Sequence, residues 1–330
     1  MVDSTNQDEW SAYWRDGRGA ACRGDDAGLY RGAIGSLWRD WFAALPASVR
    51  VLDLATGNGA VMEIGLSVAE TRANDCQWQL YGVDRAQIAP RRNGSGESDH
   101  CRLRFLSGVS NEALPFAASM FDRVCSQYGA EYGDFENTVA EAARVLRPAG
   151  ELFWVCHWRE GTIARSAAAE VDDALYFEQL ALPARMLALI QRQQADGRFM
   201  PNSHQATAAT PQRKALQDGL NAAFERLRQR GHGEDSNLTL FLHNLAHLYQ
   251  LREQHAVSLV TEKLQQCEQE LIFHRRRLQA LVAAALDEQR LQCLLSVMGG
   301  RGFTVTSHGV VREVDEGKDV AYQIKASWHE

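Results

Sequence analysis

The chain contains no run of 18 uncharged apolar residues anywhere in its 330, so no membrane-spanning helix is expected. Its opening, MVDSTNQDEW, lacks the basic start and apolar stretch of a secretory signal. Seven cysteines are scattered (Cys22, Cys76, Cys101, Cys125, Cys156, Cys267, Cys293) and none forms a C-x-x-C pair. That argues against a zinc site or a dithiol redox motif, and the odd count suits a reducing cytoplasm better than a disulfide framework. Cys125 and Cys156 sit in apolar runs, where buried thiols are common. No G-x-S-x-G elbow occurs, so a serine hydrolase is not expected. His243 and His247 in HNLAH have the spacing of metal ligands but lack the glutamate of H-E-x-x-H, so ordinary surface or core histidines and no metal are expected. Positive charge is in deficit: 35 Lys and Arg against 42 Asp and Glu give a net charge of -7. Such a chain is a poor default partner for nucleic acid, and HRRR (274–277) reads as a solvated helix face rather than an RNA patch.

What is present is ordinary for a globular protein: 45% hydrophobic and 23% charged residues. The length suits two domains, or one domain with a large insert. In LYRGAIGSLWRDWFAALP, Tyr30, Ile34, Leu37, Trp41 and Leu45 recur at helical steps ahead of Pro46. Upstream, EWSAYWRDGRGAACRGD reads as a short helix and a loop. From 49 to 157, short apolar runs (49–54, 78–84, 103–108, 121–127, 150–157) alternate with helical stretches near 60–71, 86–92 and 134–146. That alternation predicts a parallel sheet with right-handed crossovers.

Residues 163–299 are rich in Ala, Leu, Gln, Arg and Glu and read as helices joined by loops at 197–211 and 230–237. Leu264, Cys267, Leu271, His274, Leu278, Leu281 and Ala285 follow a 3-4-3-4 spacing. That is a seam for another helix, either within the chain or on a second copy as a homodimer. Strand character returns in 302–314 and 319–328, which flank the turn DEGK. The sheet pattern thus opens before the helical stretch and closes after it. The expected organisation is a helical lid over 1–47, a sheet domain over 48–162 and 300–330, and a helical insertion over 163–299.

The most informative segment is RVLDLATGNGAVM (50–62). A strand ends at Leu54, a loop of small residues follows, and a helix begins near Ala60. Gly57 and Gly59 permit close approach of a ligand to the backbone, and amides at the helix start point towards it. A dinucleotide fingerprint would place a third glycine at 62, which is Met, and no G-K-[ST] of a P-loop follows. Asp53 beside the loop would repel a phosphate but suit an amine or sulfonium. Asp84, ending the second strand in YGVDRA, can accept hydrogen bonds from a ribose diol. Together they suggest a cationic nucleoside, which S-adenosylmethionine is.

The segments VLDLATGNGAV, YGVDRA, EALPFAASMFDRVCSQYGAEY and EAARVLRPAGELFWV, in that order, resemble class I S-adenosylmethionine-dependent methyltransferases over about residues 48–157 and, more weakly, the tail hairpin. The resemblance implies a Rossmann-like α/β fold: a mostly parallel seven-stranded sheet with helices on both faces, an antiparallel C-terminal hairpin and a large α-helical insert. It implies that Asp53, Ala55, Thr56, Gly57, Asn58 and Gly59 form the cofactor loop, with Asp53 near the amino group of the methionine portion. Asp84 would hold the ribose, Arg85 would lie beside the adenine, Val109 and Ser110 would border the adenine ring, and Gln127 and Tyr128 would lie near the methyl donor. Ala55 stands where the family often has glycine. The family's acid after the third strand is missing from SGVSNEALPF, where Asn111 or a backbone group would substitute.

Methyl transfer is an in-line displacement that requires alignment and a dry pocket. Tyr128, Glu131 and His157, at or just past strand ends, are the candidate catalytic residues, because ligands of open α/β sheets bind outside those ends. Each has a plainer alternative: pocket wall, helix start and buried histidine. Trp10, Tyr13 and Trp14 would cover the cofactor pocket or simply pack on the sheet edge. Arg18 would pair with the cofactor carboxylate or stay solvated. The expected acceptor is a small molecule, without nucleic acid or membrane partners, in the cytoplasm. A protein acceptor, or cofactor binding without turnover, is the alternative.

Overall fold

The computed structural model describes residues 5–15, 17, 30–72, 76–91, 101–195, 211–234, 236–252, 255–313 and 317–329. Arg18, Cys22 and most of the predicted 197–211 loop lie outside them. Two compact units are present, Met1–Ala167 with Ala280–Glu330, and Ala168–Gln279.

The first unit is built on seven strands: β1 (Ser48–Leu54), β2 (Gln77–Asp84), β3 (Cys101–Ser107), β4 (Phe121–Gln127), β5 (Leu146–Cys156), β6 (Phe303–Arg312) and β7 (Asp319–Trp328). They lie in the order β3-β2-β1-β4-β5-β7-β6. The first five are parallel, and β7 runs antiparallel to both β5 and β6. The order reverses between β1 and β4, which opens a crevice at their carboxyl ends. The strands read as apolar runs because both faces are covered. On β1 the two-residue period sends Val49 and Val51 to one core and Leu52 and Leu54 to the other.

On the first face pack α2 (Gly32–Ala43) and α3 (Ala60–Arg72), and α1 (Thr5–Arg15) precedes them. The buried face of α2 is Ile34, Trp38 and Phe42. Leu37 and Trp41, expected in the stripe, are only partly buried. Trp38 and Phe42 are fully enclosed, so they rather than Trp41 carry the packing, and truncation of such a ring costs about 3–5 kcal/mol. On the second face packs α4 (Phe135–Val145), whose first turn is capped by the Asp134 side chain accepting the Asn137 N–H at 2.9 Å.

The helix expected near 86–92 does not form over 85–91. Side chains take the backbone donors instead. Asp84 accepts from Ala86, Ser11 from Gln87, Ser107 from Ile88 and Asn58 from Ala89, at 2.8–3.2 Å. Pro90 also removes a donor.

The second unit is helical: α5 (Thr162–Leu180) leads in, α6 (Leu182–Ala195), α7 (Pro211–Gln229) and α8 (Asn237–Leu251) follow, and α9 (Val257–Ala284) leads out. The stretch breaks at Ala181, with φ +48°, and again before α9, so more than the two expected loops divide it. Its core gathers Phe177, Leu182, Met186, Leu220, Leu242 and Leu264. Leu264, Cys267 and Leu271 of the predicted seam are buried there, so this part of the seam is satisfied within the chain. Fully buried Asp173 pairs with Arg226 at 2.6 Å and His232 at 2.9 Å. HRRR is only in part a solvated face, because His274 is buried against Glu170 and Arg275 pairs with Glu178. His243 and His247 are exposed.

A last helix, α10 (Glu288–Gly300), sends Leu291, Leu294 and Met298 into the second-face core. The units therefore divide near 167 and 280 rather than at 163 and 299. No helix among the described residues is long and apolar enough to cross a membrane.

Candidate active site

A cleft with about 1050 Å³ of space, part of it open to solvent, runs across the carboxyl ends of β2, β1 and β4. All its lining residues belong to the sheet unit. The β1 end supplies Asp53, Ala55 and Thr56, and the β2 end supplies Asp84 and Arg85. The turn after β3 adds Ser110, Asn111 and Glu112. The β4 end and the 3-10 turn Ala130–Tyr132 add Gln127, Tyr128 and Tyr132. Trp10 and Trp14 of α1 also line it.

Asp53 and Asp84 share this cavity. Asp53 accepts from the Thr56 hydroxyl at 2.6 Å and lies 3.8 Å from the Cys125 sulfur. Burial raises its carboxyl to about 7, against the lowering effect of the Thr56 and Cys125 contacts. Asp84 accepts the Gly57 and Ala86 amides, one on each oxygen, both at 2.8 Å. Burial lifts it to about 6. Two buried acids at neighbouring strand tips suit a ligand bearing positive charge and hydroxyl donors, because such a ligand offsets their desolvation.

Gly57 (φ +55°) turns in the left-handed region, and a Cβ there would lie 2.5 Å from the Trp14 ring. Glycine is thus required both by the turn and by the approach of α1. Asn58 binds α1 from the loop, its amide donating to the Trp14 carbonyl at 2.8 Å. Gly57, Asn58, Gly59 and Val109 shape the loops without lining the cleft, and Gly59 backs onto Phe105. Ala55 is itself left-handed (φ +54°), which explains the glycine preference at this position.

Glu131 and His157 do not line the cleft. They are buried together: the Glu131 carboxylate accepts the His157 backbone N–H at 2.8 Å and lies 2.8 Å from Nδ1. The ring of Tyr128 stacks on His157 at 4.2 Å and stands between the histidine and the cleft. Of the three candidate catalytic residues, only Tyr128 reaches the cavity.

Tyr30, Val61 and Glu112 are lining residues that the sequence did not reveal. Glu112 stood in a loop read for its adenine contact, and Tyr30 looked like plain helix packing. Also unforeseen is the bond from the Trp38 indole N–H to Gln127 Oε1 at 2.6 Å, which leaves the Gln127 NH2 group buried without a partner among the described residues. No cluster of three His, Cys, Asp or Glu that could hold a metal ion occurs among the described residues.

Residues 52–154 match the family model described as a methyltransferase domain. That stretch of the chain therefore matches a methyltransferase domain, and it lies on a sheet of Rossmann-like strand order. Solved structures resemble it at low identity. The Burkholderia thailandensis 1,6-didemethyltoxoflavin-N1-methyltransferase is 11% identical, with 98% of this chain and 87% of that chain covered and a TM-score of 0.43. The geranyl diphosphate C-methyltransferase of Streptomyces coelicolor A3(2) is 17% identical, covering 48% of this chain and 67% of that one at a TM-score of 0.34. A chain from the complex between the Haloferax volcanii Trm112 methyltransferase activator and a methyltransferase is 23% identical. There 46% of this chain is covered at a TM-score of 0.30, and the chain spans 61% of that relative. No curated protein matches the chain.

Proposed function

We propose that the chain transfers a methyl group from S-adenosylmethionine to a small-molecule acceptor. The cofactor would supply an electrophilic methyl on a sulfonium. The carrying observation is the pair of buried acids, Asp53 and Asp84, facing one cleft at the point where strand order reverses. Asp84 would hold the ribose hydroxyls with the lone pairs left after its two amide bonds, and Arg85 with Ser110 and Asn111 would flank the base. Asp53 would face the amino group of the methionine portion. The start of α3, at Ala60 and Val61, lines the cleft and would favour the cofactor carboxylate there through the positive end of the helix dipole. Tyr128 and Gln127 would align the acceptor, with Tyr128 the one candidate base in reach. Trp10 and Trp14 would exclude water as a lid.

Titration calorimetry with S-adenosylmethionine, followed by labelled methyl transfer to a size-fractionated lysate, tests the proposal. Binding with label in the small-molecule fraction supports it. Label in protein would redirect it to a macromolecular acceptor, and no binding would sink it.

A further inference from the structure

The two ends of the cleft differ in chemistry. Arg85 at the β2 end is the only basic residue lining it among the described residues. The β4 end is aromatic. Tyr128 meets Tyr30 edge-on with centroids 6.3 Å apart, and Tyr132 meets Trp10 edge-on at 6.1 Å. The Tyr128 plane is fixed by its stack on His157, only 20° from parallel. Glu112, on the same rim, spends one oxygen on the Asp134 amide at 2.9 Å.

Gln127 adds a directed donor. An indole N–H can only donate, so its bond to Gln127 settles which end of the carboxamide is oxygen and which is NH2. The side chain is 94% buried (6% exposed), and its NH2 has no protein partner among the described residues. A buried donor of this kind is satisfied by a ligand atom that accepts a hydrogen bond.

We propose that the methyl acceptor is a planar aromatic or heteroaromatic molecule without negative charge, held among Tyr128, Tyr132, Tyr30 and Trp10, with a hydrogen-bond-accepting atom on the Gln127 amide. This rests on the methyltransferase reading above. Aromatic faces carry negative potential, so they receive electron-poor or cationic rings well. A carboxylate or phosphate entering this end would lose its hydration next to Glu112 with no fixed cation in return.

The test uses the full chain saturated with S-adenosylhomocysteine and three bicyclic probes of similar size: 6-hydroxyquinoline (neutral), 1-methylquinolinium (cationic) and 2-naphthoate (anionic). Binding is read by calorimetry and indole fluorescence. We expect 6-hydroxyquinoline to bind about tenfold or more tightly than 2-naphthoate, with 1-methylquinolinium also ahead of the anion. Tyr132→Ala should weaken the quinoline by about fivefold, and Tyr132→Phe should restore it. Gln127→Leu should weaken 6-hydroxyquinoline by about fivefold and leave 1-methylquinolinium, which has no accepting ring nitrogen, within about twofold. If S-adenosylhomocysteine binds but 2-naphthoate is preferred, or no ring binds, this inference falls while the methyltransferase reading stands. If S-adenosylhomocysteine itself does not bind, the reading beneath fails and this inference with it.

Discussion

The Asp84 carboxylate accepts the Gly57 amide at 2.8 Å, so an acid at the tip of β2 closes the turn that follows β1. One side chain sets both the shape of the loop and a wall of the cleft. Asp84→Ala is expected to weaken S-adenosylhomocysteine binding by about tenfold to a hundredfold, the range of a charged hydrogen bond worth about 1.5–3 kcal/mol. Asp84→Asn should lose less, because an accepting oxygen remains. Calorimetric titration of both variants decides the matter, and wild-type affinity in Asp84→Ala would remove this residue from the cofactor site.

Stability should depend on pH through the two buried acids. In the folded chain Asp53 titrates at about 7 and Asp84 at about 6, against an ordinary value of 3.8. The folded state therefore keeps protons that the unfolded state has already released. The free energy of unfolding then falls as pH rises from about 4 to about 7, by several kcal/mol. A sulfonium ligand favours the ionised acids, so thermal stabilisation by S-adenosylmethionine should grow between about pH 5.5 and 8. Asp53→Asn should flatten both trends in melting curves recorded with and without ligand. A ligand-induced shift that is constant with pH would contradict the assignment.

Ala55 and Gly129 form a tight pair. A Cβ on Gly129 would lie 2.4 Å from the Ala55 methyl. Gly129→Ala should destabilise the sheet unit by about 1–3 kcal/mol, and Ala55→Gly in the same chain should recover part of it. Ala55→Gly alone relieves a left-handed alanine and should raise stability by about 0.5–1 kcal/mol. Denaturant titrations of the single and double variants form the cycle. Simple additivity would mean that the two side chains do not meet.

Glu131 and His157 are tied to each other and lie outside the cleft wall. His157→Ala removes the ring partner of the buried Glu131 carboxyl group, leaving it the backbone N–H, and should cost about 1–3 kcal/mol of stability. Thermal denaturation measures the loss, which for a unit of this size is a fall in Tm of several degrees. An unchanged Tm with lost turnover would restore the histidine to a direct catalytic role.

The strands were legible because a parallel sheet covered on both faces writes itself as short apolar runs. The interval 121–127 agrees residue for residue with β4. The glycine loop and the two aspartates were legible for a related reason: turn geometry and strand ends restrict the residue types that fit. The stretch 85–91 was not legible, because four side chains from different parts of the chain capture its amides. Nor was the role of Glu131 and His157. Proximity to a strand end says that a side chain is near the crevice, not which side of the Tyr128 ring it occupies.

The sequence by itself determined the sheet, its loop of small residues and the acids at two strand tips, since these follow from local backbone chemistry and hydrophobic period. Only the tertiary structure decided the far side of the cleft. Trp10, Tyr30 and the Trp38 bond to Gln127 come from α1, a position two residues ahead of α2, and α2 itself, 89 residues before their partner in the last case. No spacing rule links residues that far apart, because their meeting depends on how whole helices pack on the sheet.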